Sequence, residues 1–238
     1  MFARQLAGRG YDLILVARRE DRLRDVAAGI STEAQVLPAD LTCEAGLTAT
    51  ESAIRNCDRL DLLVNNAGFG TLGRFWEADS GGQLRMHELH VIATMRLTHA
   101  ALACMVPRGQ GAVINVSSVA AFSQNPGNVS YCATKAWMNS FTRGLDIELR
   151  GIGSPVKVQA LCPGFTRTEF QETLGMDPKT IPDMFWMQAD DVVKTSLGAL
   201  ASGTVIVLPG WRSKVAATLM KHVPAAIISK LRPGGKRV

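Results

Sequence analysis

The sequence predicts an α/β fold, a doubly wound and mostly parallel sheet with helices on both faces in three α/β/α layers. Three observations carry that prediction. Short runs rich in branched apolar residues alternate with stretches of helical periodicity, as repeated strand–helix–strand units require. The runs are continuous, D-L-I-L-V-A at Asp12–Ala17 and L-D-L-L-V at Leu60–Val64, which reads as strands buried on both faces. Strands also end in small polar residues, Asn65-Asn66 after one and Ser117-Ser118 after another, at the edge where such sheets bind ligands.

Taken in order, Phe2–Ala7 reads as the end of a helix stopped by Gly8-Arg9-Gly10. The strand Asp12–Ala17 leads into a helix over Glu20–Ala28, where Leu23, Val26 and Ala27 share a face. A short strand, Gln35–Leu37, ends at Pro38-Ala39-Asp40. A helix over Glu44–Asn56 and the strand Leu60–Val64 follow. After N-N-A-G (Asn65 to Gly68) a long helix runs from about Gln83 to Met105. The strand Val113–Val116 precedes the two serines, a turn around Asn125-Pro126-Gly127, and a helix reaching about Leu149. The strand Lys157–Leu161 closes in Cys162-Pro163-Gly164. The segment Phe165–Gln188 is irregular and rich in Phe165, Phe170, Met176, Phe185, Trp186 and Met187. A helix over Asp190–Ala201 and a last strand, Val205–Leu208, complete the body. Without repeat, linker or low-complexity block, residues 1–238 read as one domain, with a basic amphipathic tail over residues 211–238.

Composition narrows the function. Hydrophobic residues make up 47% and charged residues 20%, a globular profile. The start lacks the apolar core of a signal peptide, and no apolar run approaches the length of a membrane span, so a cytoplasmic location is expected. Five cysteines without C-x-x-C spacing read as free thiols. In His87-Glu88-Leu89-His90 the histidines stand three apart, which misses H-E-x-x-H, and no metal is expected. The net charge of +5 belongs to the tail: seven of the 26 basic residues lie in 211–238 with no acid, leaving 19 against 21 acidic ones. A nucleic-acid-binding body is therefore not expected. Gly68-Phe69-Gly70-Thr71-Leu72-Gly73 matches G-x-G-x-x-G, but no helix opens inside it and the next strand ends in serines. It reads as a loop whose glycines let backbone pass close to a ligand.

Tyr131 and Lys135 stand four apart on one helix face, beside the serines at the end of the preceding strand. Y-x-x-x-K alone is weak, and its company raises it. N-N-A-G follows a strand, Ser118 precedes Tyr131 by thirteen residues, and Pro163-Gly164 closes the next strand. This set resembles the classical short-chain dehydrogenase/reductase family, over nearly the whole chain, and implies a Rossmann-like fold. The resemblance makes Tyr131 the acid or base that exchanges the substrate hydroxyl proton. Lys135 would lower a phenol pKa that is ordinarily about 10 and hold the nicotinamide ribose. Ser118, preferred over Ser117 by the family's spacing, would hydrogen-bond the carbonyl oxygen where charge grows. His90 stands where the family has an asparagine that supports a water in a proton relay, and histidine can do the same or be a plain replacement.

The resemblance also assigns a cofactor. Asp40 and Leu41 match the adenine side, Asn66, Ala67 and Gly68 the adenosine and ribose, and Pro163, Gly164, Thr166 and Thr168 the nicotinamide side. Asn65 reads as structural. Where NAD enzymes carry an acid, this chain has Arg18-Arg19, which favours NADP(H) over NAD(H). The expected reaction is hydride transfer between NADP(H) and a small-molecule carbonyl/alcohol pair, and the aromatic and methionine content of Phe165–Gln188 suggests a lipophilic one. A homo-oligomer is the family default.

One departure is large. The family opens with a strand and T-G-x-x-x-G-x-G, whereas this chain starts inside the following helix. With that first strand absent, two inner strands should be left with unpaired backbone groups. A truncated product or misplaced start at Met1 is one expectation, and a non-catalytic, cofactor-deficient binding protein on the same fold is the other. In the tail, Val215, Leu219, Val223 and Ile227 recur every four residues. A helix packed on the body or a second subunit is favoured there over one lying on an anionic membrane surface.

Overall fold

Elements fall close to the boundaries read from the sequence. The structure is a computed structural model and describes residues 1–170, 181–220 and 223. Chain order begins α1 (Phe2–Ala7), β1 (Leu13–Ala17), α2 (Glu20–Ala28), β2 (Ala34–Pro38), α3 (Glu44–Arg55) and β3 (Leu62–Asn65). A long helical segment follows as α4 (Ser80–His87), a π-helical turn (Glu88–Ala93) and α5 (Thr94–Arg108). Next come β4 (Ala112–Val116), a 3-10 turn (Val119–Phe122), α6 (Val129–Gly151) and β5 (Lys157–Leu161). A 3-10 turn (Asp183–Phe185), α7 (Ala189–Ala201), β6 (Ile206–Val207) and α8 (Trp211–Met220) complete the described order.

Among the described residues every strand pair is parallel, but the sheet is in two pieces, β1–β2 and β3–β4–β5–β6. The Leu13 N–H donates to Glu33 and the Ala17 carbonyl accepts from Ala39, both on the β2 side. Alternation therefore turns the backbone groups of Ile14 and Val16 away from β2. The Ala112 N–H donates to the Asp61 carbonyl, so those of Leu62 and Val64 point away from β4 in the same manner. Both free edges border one cavity of about 3290 Å³. Two inner strands with unpaired edges were expected, and the split sheet has them. The same split corrects another expectation. Asp12–Ala17 and Leu60–Val64 read as buried on both faces, yet β1 and β3 are mostly half-buried because, among the described residues, each has a strand neighbour on one side only. β4 and β5, flanked on both sides, are almost wholly enclosed.

Alternating strand residues feed two cores. On one face Val113 and Val158 pack with Leu47 and Ile54 of α3, Leu97, Ala101 and Met105 of α5, and Leu149 of α6. On the other, Ile114, Leu161 and Val207 meet Leu6 of α1 and Val192, Val193 and Leu197 of α7. Asn65 ties the strand ends together, as expected. Its amide donates to Thr98 at 3.0 Å and to Asn115 at 2.8 Å, and Asn115 in turn donates to Thr142 at 3.0 Å. The half-buried Asn65 and the buried Thr98, Asn115 and Thr142 satisfy one another and fix how β3, β4, α5 and α6 meet.

No apolar run of membrane-span length is expected from the sequence, yet residues Ser80–Arg108 form a helix long and apolar enough to cross a membrane by length and composition. Its apolar side lies against the sheet and α3, so its composition is that of a core helix. The tail begins as predicted, in a helix. Ala217 of α8 is buried, while Trp211, Val215 and Leu219 share an exposed face. Met176 of the irregular segment Phe165–Gln188, and the tail beyond residue 220 apart from Val223, lie outside the described residues.

Candidate active site

The two serines after β4 are used differently. Ser117 is buried, and its hydroxyl donates to the Lys135 carbonyl at 3.0 Å, pinning the strand end to α6. Ser118 has extended backbone, caps the 3-10 turn by accepting from the Ala120 N–H at 3.1 Å, and stands half-buried at the cavity wall. Both residues border the cavity, and because extended backbone alternates its side chains their hydroxyls are used differently.

Gly127 adopts φ +75°, a conformation that suits glycine and lets the chain turn into α6. On that helix Tyr131 and Lys135 meet as i,i+4 neighbours, with the Lys135 Nζ 5.7 Å from the Tyr131 ring centroid. Phe170 and His90 flank the tyrosine ring at 6.0 and 5.8 Å between centroids. Lys135 is only 4% exposed, and its ammonium donates to the Val116 carbonyl at 2.8 Å.

Burial pulls the Lys135 ammonium down to about 8 from an ordinary 10.5. Between those values the unfolded chain keeps a proton that the folded chain releases, so stability from this group rises with pH across that window. Below the folded value the buried charge costs its full amount. Thermal melting of the cofactor-free protein against Lys135→Met, from pH 7 to 10.5, checks this. The difference in Tm between the two, largest in the variant's favour at pH 7, should shrink as pH rises.

His90 lies wholly buried in the π-helical turn, the kind of local widening that recurs at functional sites. Its Nε2 accepts from the Phe69 N–H at 3.3 Å, and its Nδ1 meets the Thr134 hydroxyl at 3.0 Å. Burial, and then the nearby Lys135 and His87 charges, hold its pKa well below the ordinary 6.5. Gly68 completes this corner. A Cβ there would stand 2.9 Å from the His90 Nε2 and 3.8 Å from the Lys135 Nζ, so only glycine lets the loop lie this close.

The remaining predicted residues are spread along the same cavity. Arg18 and Arg19 line it at the end of β1, and Arg19 pairs with Glu169 at 3.0 Å across exposed surface. Leu41 lines it from the body. Asp40 does not: its carboxylate accepts from the Thr42 N–H and hydroxyl at 2.9 and 2.8 Å, which holds its pKa down and shapes the turn before α3. Asn66, Ala67 and Gly68 form an exposed ledge along one wall. Pro163, Gly164, Thr166 and Thr168 form another, tied to the serine turn by the Val119 N–H donating to the Pro163 carbonyl at 3.0 Å. The loop Gly68–Gly73 contains no helix start, and α4 begins only at Ser80.

These residues fit a nicotinamide dinucleotide. Two guanidiniums stand at one end, a side-chain-free ledge at Gly68 lies where a Cβ would intrude, and an ammonium and hydroxyls stand at the other. Sequence reasoning missed Thr134 and the Phe69 amide as the partners of His90. Thr134 adjoins Lys135, but its partner His90 is 44 residues away, so no local pattern announces the contact.

Residues 1–179 match the sequence profile of the short chain dehydrogenase family. The chain is 32% identical over 203 residues to sulfoacetaldehyde reductase 2 of Chromohalobacter salexigens, covering 81% of this chain and 79% of that protein. It is 29% identical to the 3-oxoacyl-[acyl-carrier-protein] reductase of Bos taurus over 87% of this chain and 90% of that one. Among solved structures it is similar to a short-chain dehydrogenase from Sphingobium yanoikuyae in complex with NADPH. That likeness has a TM-score of 0.82 and 33% identity, with 94% and 91% of the two chains covered. With residues 1–179 matching that family's profile and a parallel α/β sheet shared with its solved structures, the chain belongs to the short-chain dehydrogenase/reductase family of oxidoreductases.

Proposed function

We propose that this protein interconverts a lipophilic carbonyl compound and its alcohol, using NADP(H) in preference to NAD(H). The observation that carries this reading is the convergence of Ser118, Tyr131 and Lys135 on one cavity that also reaches Arg18 and Arg19. When bound, the nicotinamide cofactor supplies or accepts the hydride. In the reducing direction Ser118 donates a hydrogen bond to the carbonyl oxygen, and the Tyr131 phenol gives that oxygen its proton as negative charge develops. The Lys135 ammonium, behind the ring, favours the phenolate left on Tyr131 until solvent returns a proton. Oxidation runs the same proton path backwards. Phe165, Met184 and Phe185 line the cavity yet remain exposed, a surface suited to an apolar substrate.

For the cofactor, the same reading gives Asn66, Ala67 and Gly68 the adenosine and ribose side, and Pro163, Gly164, Thr166 and Thr168 the nicotinamide side. Leu41 supports the adenine, with Asp40 shaping its turn. Arg18 and Arg19 take the 2′-phosphate, for which Arg19 exchanges its exposed Glu169 partner. A homo-oligomer in the cytoplasm is part of the proposal.

A second reading draws on the split sheet: the open edges of β1 and β3 favour a non-catalytic binding protein on this fold. Isothermal titration separates the two. NADPH should bind more tightly than NADH, and replacing both arginines by alanine should weaken NADPH roughly ten- to hundredfold while barely changing NADH. Absence of NADPH binding would favour the non-catalytic reading.

A further inference from the structure

His90 is held by a connected set of hydrogen bonds whose donors and acceptors can all be assigned. The Thr134 hydroxyl donates to the Tyr131 carbonyl at 3.0 Å, so toward the imidazole it accepts, and Nδ1 must carry the proton. The Phe69 N–H donates to Nε2, so that nitrogen must be bare. Both requirements describe one neutral tautomer. The path therefore runs from the Phe69 amide through the ring and Thr134 to the backbone of Tyr131 itself.

We propose that His90 is a positioning residue, a neutral strut that sets the distance between the cofactor ledge Asn66–Phe69 and the Tyr131 turn of α6. This rests on the reading that the ledge binds nucleotide and Tyr131 moves the proton. A proton relay would need a ring nitrogen open to water, and both nitrogens are engaged by protein groups. Burial keeps the ring neutral: protonation would turn an N–H toward the Phe69 N–H and place a charge near the Lys135 ammonium and His87. Gly68 fits the same role, because the strut holds the ledge so close that a Cβ would touch Nε2.

Two amide substitutions separate the ends of the strut. In His90→Gln the side-chain oxygen reaches the place of Nε2 and can accept from Phe69 but leaves Thr134. In His90→Asn the side-chain nitrogen takes the place of Nδ1 and can donate to Thr134 but leaves Phe69. Amide hydrogen exchange should show Phe69 protected in the wild type and in His90→Gln and exposed in His90→Asn. Nitrogen-15 spectra of the labelled imidazole should show the Nδ1–H tautomer persisting as pH is lowered through 6.5, the ordinary midpoint. In steady-state kinetics His90→Asn should raise the KM for NADPH roughly tenfold, more than it lowers kcat, and His90→Gln should show the reverse split.

Equal Phe69 exchange in all three proteins, or an imidazole titrating at its ordinary value, overturns the strut. Loss of the same limb of the pH–rate profile in both variants overturns it in favour of a relay. Should the wild type bind no NADPH, the functional reading fails, yet the exchange and nitrogen spectra still decide the strut.

Discussion

Tyr131→Phe should abolish turnover, lowering kcat by about two to four orders of magnitude, while leaving NADPH affinity nearly unchanged. The substitution removes one oxygen and keeps the ring, so its packing against His90 and Phe170 and its place over the Lys135 ammonium survive. What is lost is the group that shares a proton with the substrate oxygen, an interaction that matters most when that oxygen carries charge. Stopped-flow measurement of hydride transfer, paired with titration of NADPH by fluorescence, separates chemistry from binding. Lys135→Met is the informative contrast: the proposal gives that ammonium the tyrosine, the family resemblance implies that it also holds the nicotinamide ribose, and so both readouts should fall. Turnover of Tyr131→Phe within tenfold of the wild type would remove Tyr131 as the proton donor.

Much of this was legible because parallel α/β folds write their geometry locally. A β-branched apolar run such as V-I-N-V has few alternatives to a buried strand, and i,i+4 spacing on a helix fixes that Tyr131 and Lys135 meet. The choice between Ser117 and Ser118 needed the family's spacing, and the structure shows the physical difference in what their hydroxyls contact. Burial of β1 and β3 was misjudged for a different reason. Composition reports what a strand is suited to, whereas burial depends on which neighbours are present on both edges. The helix 80–108 reaches membrane-span length and hydropathy only because a core helix, with its apolar residues spaced among polar ones, passes the same composition test. Contacts such as His90 to Thr134, or Asn65 to Asn115, join residues dozens of positions apart. They depend on how elements are packed, which no local pattern encodes.

Gly46→Ala should destabilise the protein by more than about 3 kcal/mol, overpacking at its severe end. A Cβ at Gly46 would stand 2.0 Å from the Asp40 carbonyl oxygen and 2.7 Å from its carbon. Alanine has no rotamer to escape with, and the opposing atoms are backbone in a turn fixed by the Asp40–Thr42 hydrogen bonds. Relief must come from moving α3 as a unit, which pulls Leu47 and Ile54 away from Leu97 and Ala101 across the core. For a chain of this size that corresponds to a fall in Tm of at least roughly 6 to 12 °C. Gly144→Ala in α6 is the matched control: nothing lies within 4 Å of its Cβ, so the same change should stabilise the helix by about 0.5–1 kcal/mol. Because Leu41 continues directly from the Asp40 turn into the cavity wall, folded Gly46→Ala protein should also bind NADPH more weakly, and Gly144→Ala should not. Equal melting temperatures for the two variants would mean that the close approach of α3 to this turn is not a constraint on the fold. A destabilised Gly46→Ala with unchanged NADPH affinity would separate the turn's structural role from the nucleotide site.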